Sequence, residues 1–461
     1  MPLQPTILIG VGGSGGKSLR TLRQTLLRRL RAAGWESNEL PQAWQMLAVD
    51  TVTDNAADSY PDELLPGRDY MGLVPDAVTY NVIRDSLLKS INDRDLRDKA
   101  YAGWLPSHTA VPIHKGAGQY RSIGRAVSAW SLERLRHRVQ DAYTAARTPA
   151  ALTELAQVQR LLDIQDEGAS GDSSPRVFPV VIASLAGGTG SGMFMDVVET
   201  LAAVDPQLDE DSQVILFGPD IFGPLLAGPA GVGIPANTLA AVGSVTAGVW
   251  GHAASDGTEA LYASHGIAGA RAGGGNLERG AGSRNNYVIG AVNANGTFVG
   301  NMGDAYRALG ESLALIMSDP VVMFEWNQVL GCNIFPGSWN SNTCGDNSGL
   351  HIADPRYTQP FGSFGSAKVS IGTGRFHEYA AEALAREAIE RLLWPALEPL
   401  DPDDDRTDEA KIRDSAEQLW ESILRRSGLD ERDDRDDVVN ALASPELEAM
   451  AQGTGAAILN K

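Results

Sequence analysis

Two apolar runs in this chain each end in a glycine-rich loop that leads straight into a helix-forming stretch. Thr6-Ile7-Leu8-Ile9 stops at Gly10 and continues as Val11-Gly12-Gly13-Ser14-Gly15-Gly16-Lys17-Ser18. Val177 to Leu185, the longest apolar run, ends in Ala186-Gly187-Gly188-Thr189-Gly190-Ser191-Gly192. A strand, a glycine loop and a helix in that order bring bare backbone N–H groups and a helix N-terminus to one point, which suits a phosphate. A tight turn needs only one or two glycines, so loops this rich read as anion-binding.

Several motifs overlap in the first loop. Gly10, Gly12 and Gly15 satisfy the dinucleotide pattern, but the candidate acid, Asp50 at the end of the next apolar run, lies 40 residues after Gly10, where that pattern places one about 20 residues on. Gly16-Lys17-Ser18 resembles the end of a P-loop, yet Val11 stands where its leading glycine belongs. Gly12, Ser14 and Gly16 fit a nucleophile elbow whose Asp and His partners nothing marks. Two phosphate-cradling loops about 175 residues apart suggest instead a triphosphate held by several strand ends of one sheet.

The rest of the chain agrees with a parallel α/β architecture. Leu19, Leu22, Leu26 and Leu30 make one face of a helix over about 17–33, and Met46–Val49 is a second strand. A mixed segment with a helix near 82–99 precedes a third glycine loop, Lys115-Gly116-Ala117-Gly118, and a helix over 122–143. Strands are expected at 214–217, 287–292 and 367–371. Helices are expected from Asn237, with Leu239, Val242, Val245 and Val249, and over 302–317, 375–393 and 411–425. Residues 251–284 read as a loose Gly-rich insertion, and 331–366 as loop.

Composition narrows the partners. Lys plus Arg number 38 against 58 Asp plus Glu, a net charge of −20, which argues against nucleic acid and anionic membranes. Residues 401–437 hold 15 acids against 7 bases, an acidic face suited to solvent or a protein partner. Between Asp220 and Asp256 no residue is charged, but Pro224, Pro229 and Pro235 break that stretch, so it is not a membrane span. Cys332 and Cys344 make no disulfide framework, and the N-terminus has no signal-peptide pattern, so a cytoplasmic protein is expected. Asp401, Asp403 and Asp405 lack the turn glycine of a calcium loop, and His377-Glu378 lacks a zincin's second histidine.

Residues 186–192 resemble the G-G-G-T-G-S-G signature of the tubulin/FtsZ superfamily, with Ala186 in place of the first glycine. The first loop is similar to that family's first glycine loop, 115–118 resembles the loop facing the terminal phosphate, and Ala48-Val49-Asp50-Thr51 stands where the second loop belongs. The likeness runs over about 1–320 in order and more loosely over 360–395, and is greatest to divergent prokaryotic tubulin-like proteins.

The resemblance implies a GTP-binding domain, a central helix and a second domain that completes the GTPase site of the next subunit. It implies nucleotide binding by Gly12, Gly13, Ser14, Gly15, Gly16 and Lys17, and by Gly187, Gly188, Thr189, Gly190 and Ser191. Gly116, Ala117 and Gly118 would face the γ-phosphate, with Gln119 and Arg121 close by. Asp50 would orient Mg2+, Asp220 would reach the ribose, and Asn293 and Tyr306 would serve the base, Tyr306 standing where an asparagine is expected. Lys17 replaces the family's Asn or Gln. The catalytic N-x-D after the central helix is missing, which leaves Asp319 or Glu325 as the catalytic acid.

The expected layout is a nucleotide-binding domain over 1–300, the central helix over 301–318, a second domain over 319–375 and an acidic helical region over 376–461. The expected function is GTP binding with head-to-tail self-assembly and GTP hydrolysis at the contact. A nucleotide-binding interaction module that neither hydrolyses nor polymerises is the alternative, and an NAD-dependent enzyme a third reading.

Overall fold

The apolar runs assemble into a seven-stranded, all-parallel sheet with helices on both faces. The computed structural model describes residues 3–164, 176–249, 256–267, 285–326 and 361–365 with short gaps, and scattered positions between 379 and 421. In chain order the first half is β1 (Thr6–Val11), α1 (Gly12–Ala32), β2 (Trp44–Val52), β3 (Tyr70–Val74), α2 (Tyr80–Ser90), α3 (Arg94–Tyr101), α4 (Arg121–Ala146) and α5 (Pro149–Leu161). There follow β4 (Phe178–Ser184), α6 (Gly188–Val204), α7 (Pro206–Asp211), β5 (Gln213–Phe217), α8 (Gly223–Leu226), α9 (Gly233–Val249) and α10 (Asp256–Ser264). The last are β6 (Asn285–Ile289), β7 (Val292–Asn293), β8 (Gly296–Thr297), α11 (Met302–Ser318) and β9 (Gly362–Ser363).

The strand order is β3-β2-β1-β4-β5-β6-β9. The chain builds outward from β1 to β3, then returns to lay β4 on the other side of β1. That reversal is the topological switch at which open α/β sheets form a ligand crevice, and both major glycine loops leave from it.

Burial explains the sheet's composition. Ile7, Ile9 and Val11 face a core with α4 and α6, while Leu8 faces α1 and α11. Leu19, Leu22, Leu26 and Leu30 are fully buried, as their spacing predicts, each worth about 1.5–3 kcal/mol. The central helix α11 crosses α1 closely. A Cβ on Gly310 would lie 2.7 Å from Thr21 Cβ and 2.8 Å from the Leu22 nitrogen, so only glycine permits this approach.

Several expectations change. Helix α1 begins at Gly12, not Lys17, because the glycine loop is itself the first helical turn. The helix expected over 82–99 is two helices, and strand β3 lies unannounced in the mixed segment before them. In α9, Val245 is buried and Val242 packs on the core, while Leu239 is 76% exposed and Ala241 turns inward instead. Part of the Gly-rich insertion is helical: α10 buries Leu261 and Tyr262. Strand β6 ends at Ile289, and Val292 instead pairs antiparallel with Thr297 in a small hairpin. Gly362–Ser363 supply the last strand, inside a stretch read as loop. The strand expected at 367–371, Cys332, Cys344 and the acidic run 430–437 lie outside the described residues.

Residues 367–461 form a separate unit, in which 381–388 are helical with 381–387 exposed, and Arg406 donates to Asp414 at 2.7 Å. Among the described residues no helix is long and apolar enough to cross a membrane.

Candidate nucleotide site

At the carboxyl ends of β1, β2 and β4 the three glycine loops meet. Val11 is extended, and Gly12 turns the chain into α1 with φ +71°, a conformation that favours glycine. The glycines then divide by task. A Cβ on Gly15 would lie 2.7 Å from the Gly10 carbonyl carbon and closer still to the Ile182 oxygen, so this residue seats α1 on β1 and β4. Gly13 is exposed, with nothing within 4 Å of where its Cβ would be. The first turn of α1 therefore offers unshielded N–H groups and no acidic side chain, the polarity an anion needs.

The second loop is built the same way. Gly187 caps α6 in extended conformation, again with open space at its Cβ position, and Ser191 Oγ donates to its carbonyl. Gly12 packs on this loop: its Cβ would lie 3.1 Å from the Gly190 nitrogen and 3.3 Å from Thr189 Cβ. The third loop follows the short turn Ile113–Lys115, with Gly116 and Gly118 at φ +115° and +56°. Gly188 N–H donates to the Gly118 carbonyl at 2.8 Å, locking the second and third loops together. Asn237 of α9, buried to 7%, donates to the Gln119 carbonyl at 2.8 Å and the Ala186 carbonyl at 2.9 Å. Sequence reading missed this brace; its one trace is the only side-chain amide in the uncharged stretch between Asp220 and Asp256.

Asp50 and Thr51, at the end of β2, lie beside all three loops. The Asp50 carboxylate accepts from Thr51 N–H at 2.7 Å and Thr51 Oγ1 at 3.2 Å, and Thr51 Oγ1 is 3.3 Å from Thr189 Oγ1. Burial raises the Asp50 pKa above the ordinary carboxylate value, against the lowering effect of hydrogen bonds from Thr51 and Thr189.

Lys17 points to Asp58, its Nζ 3.3 Å from the carboxylate. The same carboxylate takes Arg20 at 2.8 Å. Partial burial pushes Asp58 up, but the Arg20 and Tyr60 N–H bonds and the charges of Lys17 and Arg20 outweigh it and hold the pKa low. Tyr306 differs from its expected base-stacking place. Its ring belongs to the core, edge-on to Phe217 and Tyr60, and only the hydroxyl reaches the first loop, 3.1 Å from Ser14 Oγ. Asp220 accepts the Ala291 N–H at 2.6 Å, joining the ends of β5 and β6. Asn293 pairs with Gly296 in the β7–β8 hairpin; its side chain lies outside the described residues.

The two candidate acids stand apart from these loops. Asp319 caps the turn after α11, its carboxylate accepting from Val321 N–H at 3.1 Å and Val322 N–H at 3.2 Å, and 3.8 Å from Arg29 of the last turn of α1. Helix α11 starts beside Ser14 and runs 17 residues, about 25 Å at 1.5 Å per residue. Asp319 therefore sits at the far end of the sheet from the glycine loops, and Glu325, further along the chain, is exposed.

Glycine loops stacked on two helix N-termini at a topological switch define a nucleotide-binding α/β protein of parallel-sheet type. A family model described as "Tubulin like" matches residues 7–390, and the chain belongs to this tubulin-like family. No curated protein and no solved structure matches the chain. Binding of GTP or GDP with Mg2+ and self-association are general properties of tubulin-like proteins.

Proposed function

We propose that the three loops hold GTP and that its hydrolysis is completed by a second copy of the chain. The observation that carries this is the junction at Gly188, Gly118, Gly12 and Gly190. It closes three loops around one point yet leaves the Cβ directions of Gly13 and Gly187 open. The open sides and the N-terminal dipoles of α1 and α6 fit phosphate oxygens. A magnesium ion asks for one or two carboxylates besides phosphate and water. Asp50 would supply that carboxylate between the Thr51 and Thr189 hydroxyls, with the cation offsetting the desolvation that raises its pKa.

Bound GTP with its magnesium ion supplies the phosphoryl group to be transferred. The chain's share is positioning. Gly12, Gly13, Ser14, Gly15 and Gly16 present the first-turn N–H groups, and Gly187, Gly188, Thr189, Gly190 and Ser191 present those of α6. Gly116, Ala117 and Gly118 cover the outermost phosphate, and Lys17 adds a point charge on leaving Asp58. Asp220 serves the ribose and Asn293 the base, while the Tyr306 hydroxyl holds Ser14 of the first loop. Because α11 runs about 25 Å away from these loops before Asp319 caps it, with Glu325 further along the chain, we take either acid to reach a phosphate from a neighbouring molecule stacked head to tail.

A second reading has its own support. The Asp319 carboxylate is already engaged by Val321 and Val322, as expected of a capping group. A binding module that neither hydrolyses nor polymerises would have that arrangement. Chromatography of the nucleotide released from denatured protein, with calorimetric titration of GTP and ATP in the presence of Mg2+, tests the common core of both readings. Co-purified guanine nucleotide and tighter GTP binding are expected, while equal affinities would remove the guanine assignment.

A further inference from the structure

The Thr51 hydroxyl joins the end of β2 to the second and third glycine loops. Thr51 is fully buried, with 0% of its surface exposed. Its Oγ1 donates to Asp50 Oδ1 at 3.2 Å and lies 3.3 Å from the Oγ1 of Thr189, in the first turn of α6. Gly116, at φ +115°, passes beside it, and a Cβ there would stand 3.9 Å from the same oxygen. Valine has the shape of threonine and suits a buried strand end equally well, as Val49 of the same strand shows. What Thr51 adds is a hydroxyl, and a buried hydroxyl is costly unless it is hydrogen-bonded.

The hydroxyl proton is directed at one oxygen of the Asp50 carboxylate. Oδ1 also accepts the Thr51 N–H at 2.7 Å, so the main chain and the side chain of one residue hold the same oxygen. The Thr189 hydroxyl and the Val52 N–H are the other donors that face the carboxylate. Among the described residues, both of the hydrogen bonds from Thr51 end on Oδ1 and none on Oδ2. A side chain held in this way cannot turn freely. It offers one oxygen and withholds the other.

This asymmetry bears on which cation the site accepts. Mg2+ demands a tight, near-octahedral shell and keeps several waters, which suits a carboxylate that gives a single oxygen. Ca2+ is larger, takes more oxygens in looser geometry, and commonly takes both oxygens of one carboxylate. A carboxylate with one oxygen committed to the protein serves the first cation well and the second poorly.

We propose that Thr51 is a positioning residue that makes the nucleotide site selective for Mg2+ over Ca2+, by fixing Asp50 as a ligand of one oxygen, with Thr189 backing the Thr51 hydroxyl. Thr51 touches neither the cation nor the nucleotide and acts through Asp50. The inference rests on the nucleotide reading above and adds to it a residue that none of the glycine motifs contains.

The test is the affinity of the full chain for a fluorescent, non-hydrolysable GTP analogue, measured with Mg2+, with Ca2+ and with a chelator. The wild type should bind most tightly with Mg2+. Thr51→Val removes the hydroxyl at constant shape, and the ratio of Mg2+-supported to Ca2+-supported affinity should fall about three- to tenfold, the size of one hydrogen bond. Thr51→Ser restores the hydroxyl and should keep the wild-type ratio. Thr189→Val, which leaves Asp50 and Thr51 in place, is the second variant and should lower the ratio about twofold or more. Melting temperatures with each cation accompany the titrations, because a loss of packing alone weakens binding equally with both. A ratio unchanged in either valine variant, a ratio not kept by Thr51→Ser, equal losses with both cations, or a wild type without preference would each overturn the proposal. A wild type that binds the analogue under none of the three conditions would overturn the nucleotide reading itself, and the proposal with it.

Discussion

The Gly188 N–H donates to the Gly118 carbonyl at 2.8 Å, and a Cβ on Gly188 would stand 2.7 Å from that same oxygen. The contact is backbone on backbone, so neither side can swing away. Gly188 is therefore part of the fold as well as part of the proposed site, whereas Gly13, in the first loop, faces open space.

The two glycines should separate in experiment. Gly13→Val is expected to keep its melting temperature while losing at least tenfold in GTP affinity, about 1.4 kcal/mol. Gly188→Val is expected to lose stability and binding together. Thermal unfolding and calorimetry on both variants give the comparison, and unchanged GTP affinity in Gly13→Val would sink the phosphate-loop reading.

The hydroxyl pair of Ser14 and Tyr306 ties the first loop to the central helix. Tyr306→Phe and Ser14→Ala should each cost about 0.5–1.5 kcal/mol in urea unfolding. Because they remove one shared bond, the double variant should cost less than the sum. Strict additivity would show that the pair does not interact.

Lys17 and Asp58 form an ion pair that a bound phosphate would have to break. An exposed pair of this kind is worth about 0.2–1 kcal/mol. Asp58→Asn keeps an acceptor for Arg20 and frees the lysine, so GTP should bind up to about fivefold more tightly, with the gain fading in high salt. Lys17→Met should bind more weakly. Opposite signs in titration would place Lys17 outside the phosphate site.

Asp196 is 2% exposed between α4, α6 and α10, accepts the Tyr262 hydroxyl at 2.8 Å, and has its pKa raised by burial, only partly offset by Arg125 and the Tyr262 bond. The folded state then holds its proton more tightly than the unfolded state. Stability from this group is full below the ordinary carboxylate pKa of 3.8 and declines as pH rises from there through the raised folded value. Asp196→Asn should abolish that decline and be more stable than wild type at neutral pH. Urea midpoints from pH 4 to pH 8 would decide; a variant less stable at every pH would mean the carboxylate is ionised and paired.

Hydrolysis, if it occurs between copies, should rise per molecule with protein concentration. Removing the responsible acid, Asp319 or Glu325, should slow it by about 10²–10⁴. Phosphate release with light scattering across a concentration series measures both. Turnover per molecule independent of concentration, no scattering and no effect of either Ala substitution would favour the non-polymerising module.

The sequence by itself determined what is local. Strand runs, the leucine face of α1, and the glycine loops with their helix N-termini were legible because each depends on a short stretch of chain. The parallel sheet followed from the strand–helix–strand spacing, and the tubulin-like family from residues 186–192 with the loops around them. Tertiary structure decided which glycine does what. Gly15, Gly188 and Gly310 are required by backbones distant in sequence, while Gly13 and Gly187 face open space, and no motif distinguishes the two kinds. It decided that the Tyr306 ring lies in the core, that Asn237 braces two loops, that Leu239 turns outward, and that β2 outruns β3. Each of these depends on what a neighbour far along the chain brings to the same place, and local periodicity carries no information about such neighbours.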